Sequence, residues 1–488
     1  LTSVSSLHVA QSANDMSATS MLLWNTEKGE ETLNFLEEAK KQLNLAAPVC
    51  LGLLTNRLVI TVAAIIVGHR SQLDLAAVGL AISLANVTGY SIVIAVAGTL
   101  QTVAGQAYGA KNFEEVSLSL QRCFLLSMAV VAVVSLIWLN GRSLLLACGQ
   151  EEAVASLAGE YLTCLVPGLF CYSITVVLEK WLAAQRLTKM QATGGLVELI
   201  GYVPVCWVLV DVVNLGAIGA AISSSLGHGF LMCWMIYQSH LAVRSSHWMC
   251  WQGISSKALM NWGPLLRLVL PSLLLISKWW AAEIIVLLSG TLQRAQASLA
   301  AMAIFSNTCA LCAMPPLSLG SAANTRVSNE LGAGRPEIAC YAARVTFWLG
   351  IGLGTLISLL VFVGHHWWIQ LITSDAEVQR YAEPVLLVCA LNVAFECVCT
   401  VSSGSLKGCG RQVILAPVVI LSYFCIGIPS AWLSPLPGHR TAATLALGTS
   451  LGTATHTLAV CVILWTTNWV VMSARARERV ESHRSKEP

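Results

Sequence analysis

The chain has 488 residues, of which 56% are apolar and 11% charged, with a formal net charge of +3 and a mean hydropathy of +0.70. Soluble domains carry about 25% charged residues, so this composition excludes an ordinary water-soluble fold and points to a polytopic membrane protein. The small, scattered positive charge forms no concentrated basic face, which excludes nucleic acid as a partner.

The first 44 residues are polar and end in "EKGEETLNFLEEAKKQLN" (27–44). This stretch predicts an amphipathic helix on the cytosolic surface, because a signal peptide would need a continuous apolar core. Leu1 is not an initiator methionine, so the natural chain is expected to begin earlier. Apolar windows punctuated by Pro, Gly and charge then predict twelve spans, near 45–68, 75–100, 123–139, 157–179, 190–212, 215–238, 268–290, 296–320, 345–364, 381–405, 412–433 and 442–470. Runs such as "CFLLSMAVVAVVSLIWL" (123–139) contain no charge and approach the ~20 residues that cross a bilayer as helix. They are too long for barrel strands, so the expected fold is all-α.

The polar stretch 240–267 divides the spans into an N-lobe (45–239) and a C-lobe (268–470), with a basic tail at 471–488. Of the 28 Lys and Arg, 21 fall in the two tails and the even-numbered loops, which places both termini in the cytosol. A shift of 223 residues superposes Pro48 on Pro271, and Thr102, Gly109 and Ala110 on Thr325, Gly332 and Ala333. Six spans per half give the halves the same orientation, the parallel repeat of transporters whose halves rock about a central site.

Charges within spans are costly, ~2.5–3.5 kcal/mol on insertion scales, and mark functional candidates. Glu283 in the seventh span and Glu396 in the tenth are the leading two. A carboxylate at such depth can take up and release a proton, the chemistry a proton-coupled carrier requires. Glu198 ranks third because its position in the fifth span is nearer the cytosolic end. Trp279 and Trp280 precede Glu283 by four and three residues and so stand near its helix face, as cavity walls or as packing. Asn392, one turn from Glu396, is an expected partner. Lys278 is turned about 140° from Glu283 and either reaches Glu396 or snorkels. Arg57 in the first span is assigned a structural role within its own lobe. The alternative for both glutamates is structural hydrogen bonding or pairing with Lys278.

The 17 cysteines lie mostly in apolar segments and predict neither a metal site nor a disulfide framework. "NVT" (86–88) falls inside a span, where glycosylation cannot reach it. No potassium-filter, HExxH or GxSxG sequence occurs, so a channel or an enzyme is poorly supported.

The stretches "LNLAAPVCLGLL" (43–54), "TLQTVAGQAYGAKNF" (99–113), "KWWAAEIIVLLSG" (278–290), "SAANTRVSNELGAGRP" (321–336) and "SGSLKGCGRQ" (403–412) resemble the multidrug and toxic compound extrusion (MATE) transporters. The likeness covers about residues 35–470 and is greatest to the plant DETOXIFICATION branch. It implies a monomeric, twelve-helix antiporter of the plasma or vacuolar membrane, whose two six-helix lobes form a V around a central cavity. Such carriers export organic cations, secondary metabolites or, in some plant members, citrate against inward proton flow, without a cofactor. The resemblance assigns proton coupling to Glu283 and Glu396, a cavity position to Lys278, and motif positions to Pro48, Pro271, Gln106, Gly109, Arg326, Asn329, Glu330 and Gly332. Two departures stand out. Lys278 occupies a position that is commonly Glu, which leaves anionic substrates open, and "VAAIIVG" (62–68) lacks the Asp that bacterial members carry in the first helix. The coupling site is therefore expected in the second lobe alone. A lipid-linked precursor flippase is the rival reading in the same fold, supported by Arg57 and Lys278.

Overall fold

The computed structural model describes residues 34–68, 71–245, 250–292, 294–433 and 441–481. The expected surface helix at 27–44 therefore lies partly outside the described residues, as do the first 33 residues and the last seven. Twelve helices are long and apolar enough to cross a membrane: α1 (Phe35–Gly68), α2 (Ala76–Gly109), α3 (Phe113–Leu139), α4 (Glu152–Ala184), α5 (Lys189–Val212), α6 (Gly216–Arg244), α7 (Gly263–Thr291), α8 (Ala295–Gly332), α9 (Pro336–Ile372), α10 (Ala376–Gly408), α11 (Gln412–Trp432) and α12 (Ala442–Trp465). No strand occurs among the described residues.

Most helices run past their apolar windows, because hydropathy registers only the hydrocarbon-length part of a helix. α1 starts at Phe35, so residues 35–44, expected in a separate surface helix, are its first turns. α8 continues twelve residues beyond its expected end, after a break at Ala313 between two helical halves (Ala295–Cys312 and Met314–Gly332). Local caps fix several starts: Asn112 accepts from the Glu115 amide ahead of α3, Asp375 from the Glu377 and Val378 amides ahead of α10, and Thr441 and Thr444 form a capping box on α12.

The two lobes meet where α1 and the last part of α2 pack against the second half of α8, with α7 also against α2, at the end of the bundle that carries the Lys- and Arg-rich loops. The α2–α8 contact is reciprocal. A Cβ on Gly109 would overlap the Asn329 carbonyl, and one on Gly332 would overlap the Gln106 carbonyl. The 223-residue shift converts Gln106 to Asn329 and Gly109 to Gly332, so each overlap is the symmetry mate of the other. Gln101 Nε2 donates to Thr325 Oγ1 at 2.9 Å, and Thr102 Oγ1 donates to Asn324 Oδ1 at 3.3 Å, again a mated pair. A two-fold packs the same patch of each repeat against its mate. The first halves of α2 and α8 pack mainly within their own lobes, so the lobes diverge toward the opposite end.

Buried ions reinforce the closed end. Arg326 on α8 donates to both Glu38 oxygens, Nε to Oε1 at 3.0 Å and Nη2 to Oε2 at 2.7 Å, and its Nη1 holds Glu330 at 2.7 Å. Glu330 also pairs with Arg335 at 2.5 Å and with Arg186 of the opposite lobe at 3.4 Å. The Asn329 amide, oriented by its surroundings, donates to the Gly105 carbonyl at 2.9 Å and accepts from Arg186 Nε at 3.1 Å. Burial, and Arg326 beside it, pull Arg186 below the ordinary guanidinium value, yet a guanidinium stays charged at any physiological pH. Arg326→Ala is expected to destabilise the protein by about 3 kcal/mol or more, because Glu38 is left buried without its cation. Thermal unfolding in detergent measures this. Arg142→Ala, which breaks a pair whose side chains are 55% and 75% exposed, should change stability far less.

The expected span 442–470 ends at Trp465, and the expected basic tail begins as a further helix, α13 (Trp469–Glu481). Its buried residues Met472, Ser473, Ala476 and Val480 form one face against the closed end. Ser473 Oγ donates to the Leu331 carbonyl at 3.1 Å and Arg479 Nη2 to the Cys409 carbonyl at 3.0 Å. Gly334 and Gly410 turn the chain at φ +73° and +75°, and the Arg477 and Arg479 guanidinium groups fill the space where their side chains would stand.

Candidate functional site

Five helices of the C-lobe enclose a mostly apolar pocket that holds a few charged and polar groups. α7 contributes Lys278, Trp279, Ala282, Glu283 and Val286, which recur every three or four residues on one face. α10 contributes Asn392, Val393, Glu396 and Cys397, while α8, α11 and α12 close it with groups that include Cys309, Tyr423, Thr449 and Thr453. The sequence-derived pair, Glu283 and Glu396, thus faces one space from two helices. Trp279 lines that space. Trp280 does not, and its indole Nε1 is buried without a hydrogen-bond partner.

Lys278 takes the first of its two expected courses. Its Nζ stands 2.5 Å from Glu396 Oε1, and Thr400 Oγ1 donates to the same oxygen at 2.9 Å. Each partner of the pair retains 14% side-chain exposure, toward the pocket. Asn392 is not the partner of Glu396. Its Nδ2 donates to Cys309 Sγ at 3.7 Å and its Oδ1 is buried without a partner, because the amide points along the pocket wall toward α8.

Arg57 crosses between lobes, contrary to the structural role within its own lobe expected from sequence. Its Nη2 donates to Asn307 Oδ1 on α8 at 2.8 Å. Helical periodicity within α1 places Arg57 on a face but cannot reveal that the face looks across the cleft.

The space open to the centre of a water molecule in this pocket is about 70 Å³. One buried water needs about 10–15 Å³ on this scale, whereas a drug-sized ligand occupies a site of about 300–1,000 Å³. In this conformation the pocket accommodates several waters beside two carboxylates and an ammonium. An organic molecule of that size does not fit this pocket in this conformation.

A family profile, MatE, matches the chain twice, over residues 48–208 and 272–433, once in each lobe. The chain belongs to the MatE family. MATE proteins are membrane transporters, not enzymes, and this chain is an integral multi-pass member. Among curated MATE relatives it is 32% identical to Protein DETOXIFICATION 16 of Arabidopsis thaliana, over 92% of each chain, and 32% identical to Protein DETOXIFICATION 48 of the same plant, over 93% of this chain and 86% of that one. Its fold superposes on the crystal structure of the eukaryotic MATE transporter AtDTX14 with a TM-score of 0.86 at 30% identity, covering 91% of this chain and 99% of that one. A mutant form of the Vibrio cholerae MATE transporter VcmN shares the fold at 18% identity, with a TM-score of 0.79 over 90% of this chain and 99% of that one.

Within this MATE fold the sequence reading missed the partner of its third candidate, Glu198, and one further polar site. Glu198, expected near water, is buried on α5 and its Oε1 lies 3.0 Å from His228 Nδ1 on α6. The Tyr90 and Tyr172 rings pack on that imidazole at centroid distances of 6.0 and 5.2 Å. The N-lobe therefore contains a buried ionisable pair of its own. In the C-lobe, His456 of α12 stands 3.1 Å from Cys399 Sγ and 3.4 Å from the Oη of the pocket residue Tyr423. His456 sits within the apolar run "TATHTLAV" (453–460), so the rule that singled out Glu283 and Glu396 also applied to it. Among the described residues no group of three or more His, Cys, Asp or Glu is placed to hold a metal ion.

Proposed function

We propose that this chain is a secondary antiporter that exports small organic compounds from the cytosol in exchange for protons, with Glu283 and Glu396 as the proton carriers. The observation that carries this reading is the Lys278–Glu396 pair, held at 2.5 Å beside a pocket, with room for several waters, that Glu283 also lines. A proton arriving at Glu396 removes the negative half of the pair and frees the Lys278 ammonium. A buried charge without its partner is unstable, so α7 and α10 must repack, and that repacking is the step by which proton uptake is felt in the cleft. Loss of the proton to the cytosolic side restores the pair and resets the carrier. The motif residues Gln106, Gly109, Arg326, Asn329, Glu330 and Gly332 form the closed end, which faces the cytosol in this reading and seals it during release.

The DETOXIFICATION names of the relatives support export of xenobiotics; in this reading the carrier works as a monomer in the plasma or vacuolar membrane, on xenobiotics or secondary metabolites, and needs no cofactor beyond the proton gradient. With Arg57 included, the four charges Lys278, Arg57, Glu283 and Glu396 sum to zero, which suits monovalent cations and neutral flat molecules. The second reading, an exporter of citrate or another organic anion, is favoured by the same Lys278. Once Glu396 is protonated the group carries a net positive charge. A lipid-linked precursor flippase would need a broader cationic surface than these two residues supply.

The test is flux in reconstituted vesicles with an imposed pH gradient, using a fluorescent organic cation and a fluorescent organic anion in parallel. We expect saturable, sodium-independent cation flux that stops when a protonophore collapses the gradient. Flux of the anion alone establishes the second reading. Flux that persists without a proton gradient, or that requires sodium, overturns proton coupling.

A further inference from the structure

The transport reading leaves unused the sulfur that lines the pocket. Cys309, Cys312 and Cys397 all face it, and Cys389 of α10 is fully buried directly behind Cys309 of α8, with the two sulfurs 3.4 Å apart. A disulfide is about 2.05 Å long, so these sulfurs need to approach by only ~1.4 Å. Cysteine in an apolar span usually serves as a small hydrophobe. This pair differs in three respects: the sulfurs touch, one of them borders a space that admits water, and that one receives the Asn392 amide at 3.7 Å.

We propose that Cys309 and Cys389 are a reversible oxidation site, which a peroxide converts to a disulfide that arrests transport. Cys309 reacts first because it is the sulfur that borders the pocket. Its sulfur attacks one peroxide oxygen, the O–O bond breaks, and the departing oxygen takes the thiol proton and leaves as water, with a sulfenic acid on Cys309. Cys389 then attacks that sulfur, the S–O bond breaks, and the hydroxyl leaves with the Cys389 proton as a second water. Two thiols have given two electrons and two protons to one peroxide molecule, and a thiol reductant reverses the step. The bond ties the first half of α8 to α10, about two helical turns from Glu396, and draws the sulfur that accepts from the Asn392 amide toward Cys389. The helices that must repack when Glu396 gains or loses its proton are then held together. This last consequence rests on the proton-coupled reading of the pocket.

The full chain in vesicles is treated with hydrogen peroxide, the excess is destroyed with catalase, and two quantities are read: peptide mass mapping of the cysteines and pH-driven flux. The expected result is a linked Cys309–Cys389 peptide, a fall in flux of at least fivefold, and recovery of both with dithiothreitol. Flux through Cys389→Ser, or through Cys389→Ala should the serine disturb folding, should be the same with and without peroxide. Recovery of Cys309 as a free thiol, or as a sulfinic acid with no linked peptide, overturns the site. So does inhibition by peroxide that persists in both Cys389 variants. Peptide mapping needs no transport: a chain that forms the linkage but shows no pH-driven flux even before treatment counts against the transport reading and not against the site. Linkage with undiminished flux overturns the arrest.

Discussion

Glu396→Gln should lower pH-driven transport at least tenfold and also destabilise the protein, by about 3 kcal/mol, because Lys278 is left in the lobe without its anion. The estimate sits at the low end of the range for broken buried pairs, since each partner keeps 14% exposure to the pocket. Two effects in one variant leave the role of Glu396 undecided, and Lys278→Met combined with Glu396→Gln separates them. With both charges gone no buried ion is orphaned, so thermal stability should return close to that of the wild type. Transport should not return, because no group at that position can carry a proton. A double variant that is stable and transports at more than half the wild-type rate would falsify the relay and leave the pair as packing. Lys278→Met alone keeps the carboxylate but removes the cation whose release drives the repacking, so it should lose pH-driven flux and be destabilised about as much as Glu396→Gln, because Glu396 is left without its cation.

Much of this site was readable from sequence because charge in a hydrocarbon-length run is conspicuous. Glu283, Glu396 and Lys278 interrupt apolar stretches, and reaching Glu396 was one of the two courses left open for Lys278. The number of spans and the doubled organisation were legible for similar reasons: hydropathy counts helices, and a fixed shift of 223 residues exposes the repeat. What remained hidden was contact between distant segments. Arg57 and Asn307 are 250 residues apart, and nothing in the α1 sequence indicates that its charged face meets α8. The Asn392 amide was paired with its neighbour one turn away because sequence distance was the only guide, whereas its acceptor is a sulfur on another helix. Helix ends at the closed side were underestimated because their polar residues look like loop. Glu38, Arg326 and Glu330 are instead buried in helices and bonded to one another.

The reciprocal glycine contact makes the second large prediction. Gly109→Ala and Gly332→Ala each put a methyl group where the facing helix presents backbone carbonyl, and backbone cannot turn aside as a side chain can. Overpacking of this sort costs about 1–3 kcal/mol and at times more. Here the cost falls on one state of the carrier, because the clash exists only while α2 and α8 are closed on each other. A bias of about 2.7 kcal/mol moves a two-state equilibrium a hundredfold. Each variant should therefore fold normally, depopulate the closed arrangement ten- to a hundredfold and lose transport to a similar degree. The change can be followed as increased labelling, by a membrane-impermeant thiol reagent, of a cysteine placed at Gln101 in a background whose reactive native thiols are removed. The two substitutions should act alike because each glycine meets the symmetry mate of what the other meets. Gly98→Ala on the same helix is the control: a Cβ there has no neighbour within 4 Å, and its flux and labelling should match the parent. Equal labelling in all three would mean that the lobes do not separate at this contact, and that the glycines serve helix packing within a fixed interface.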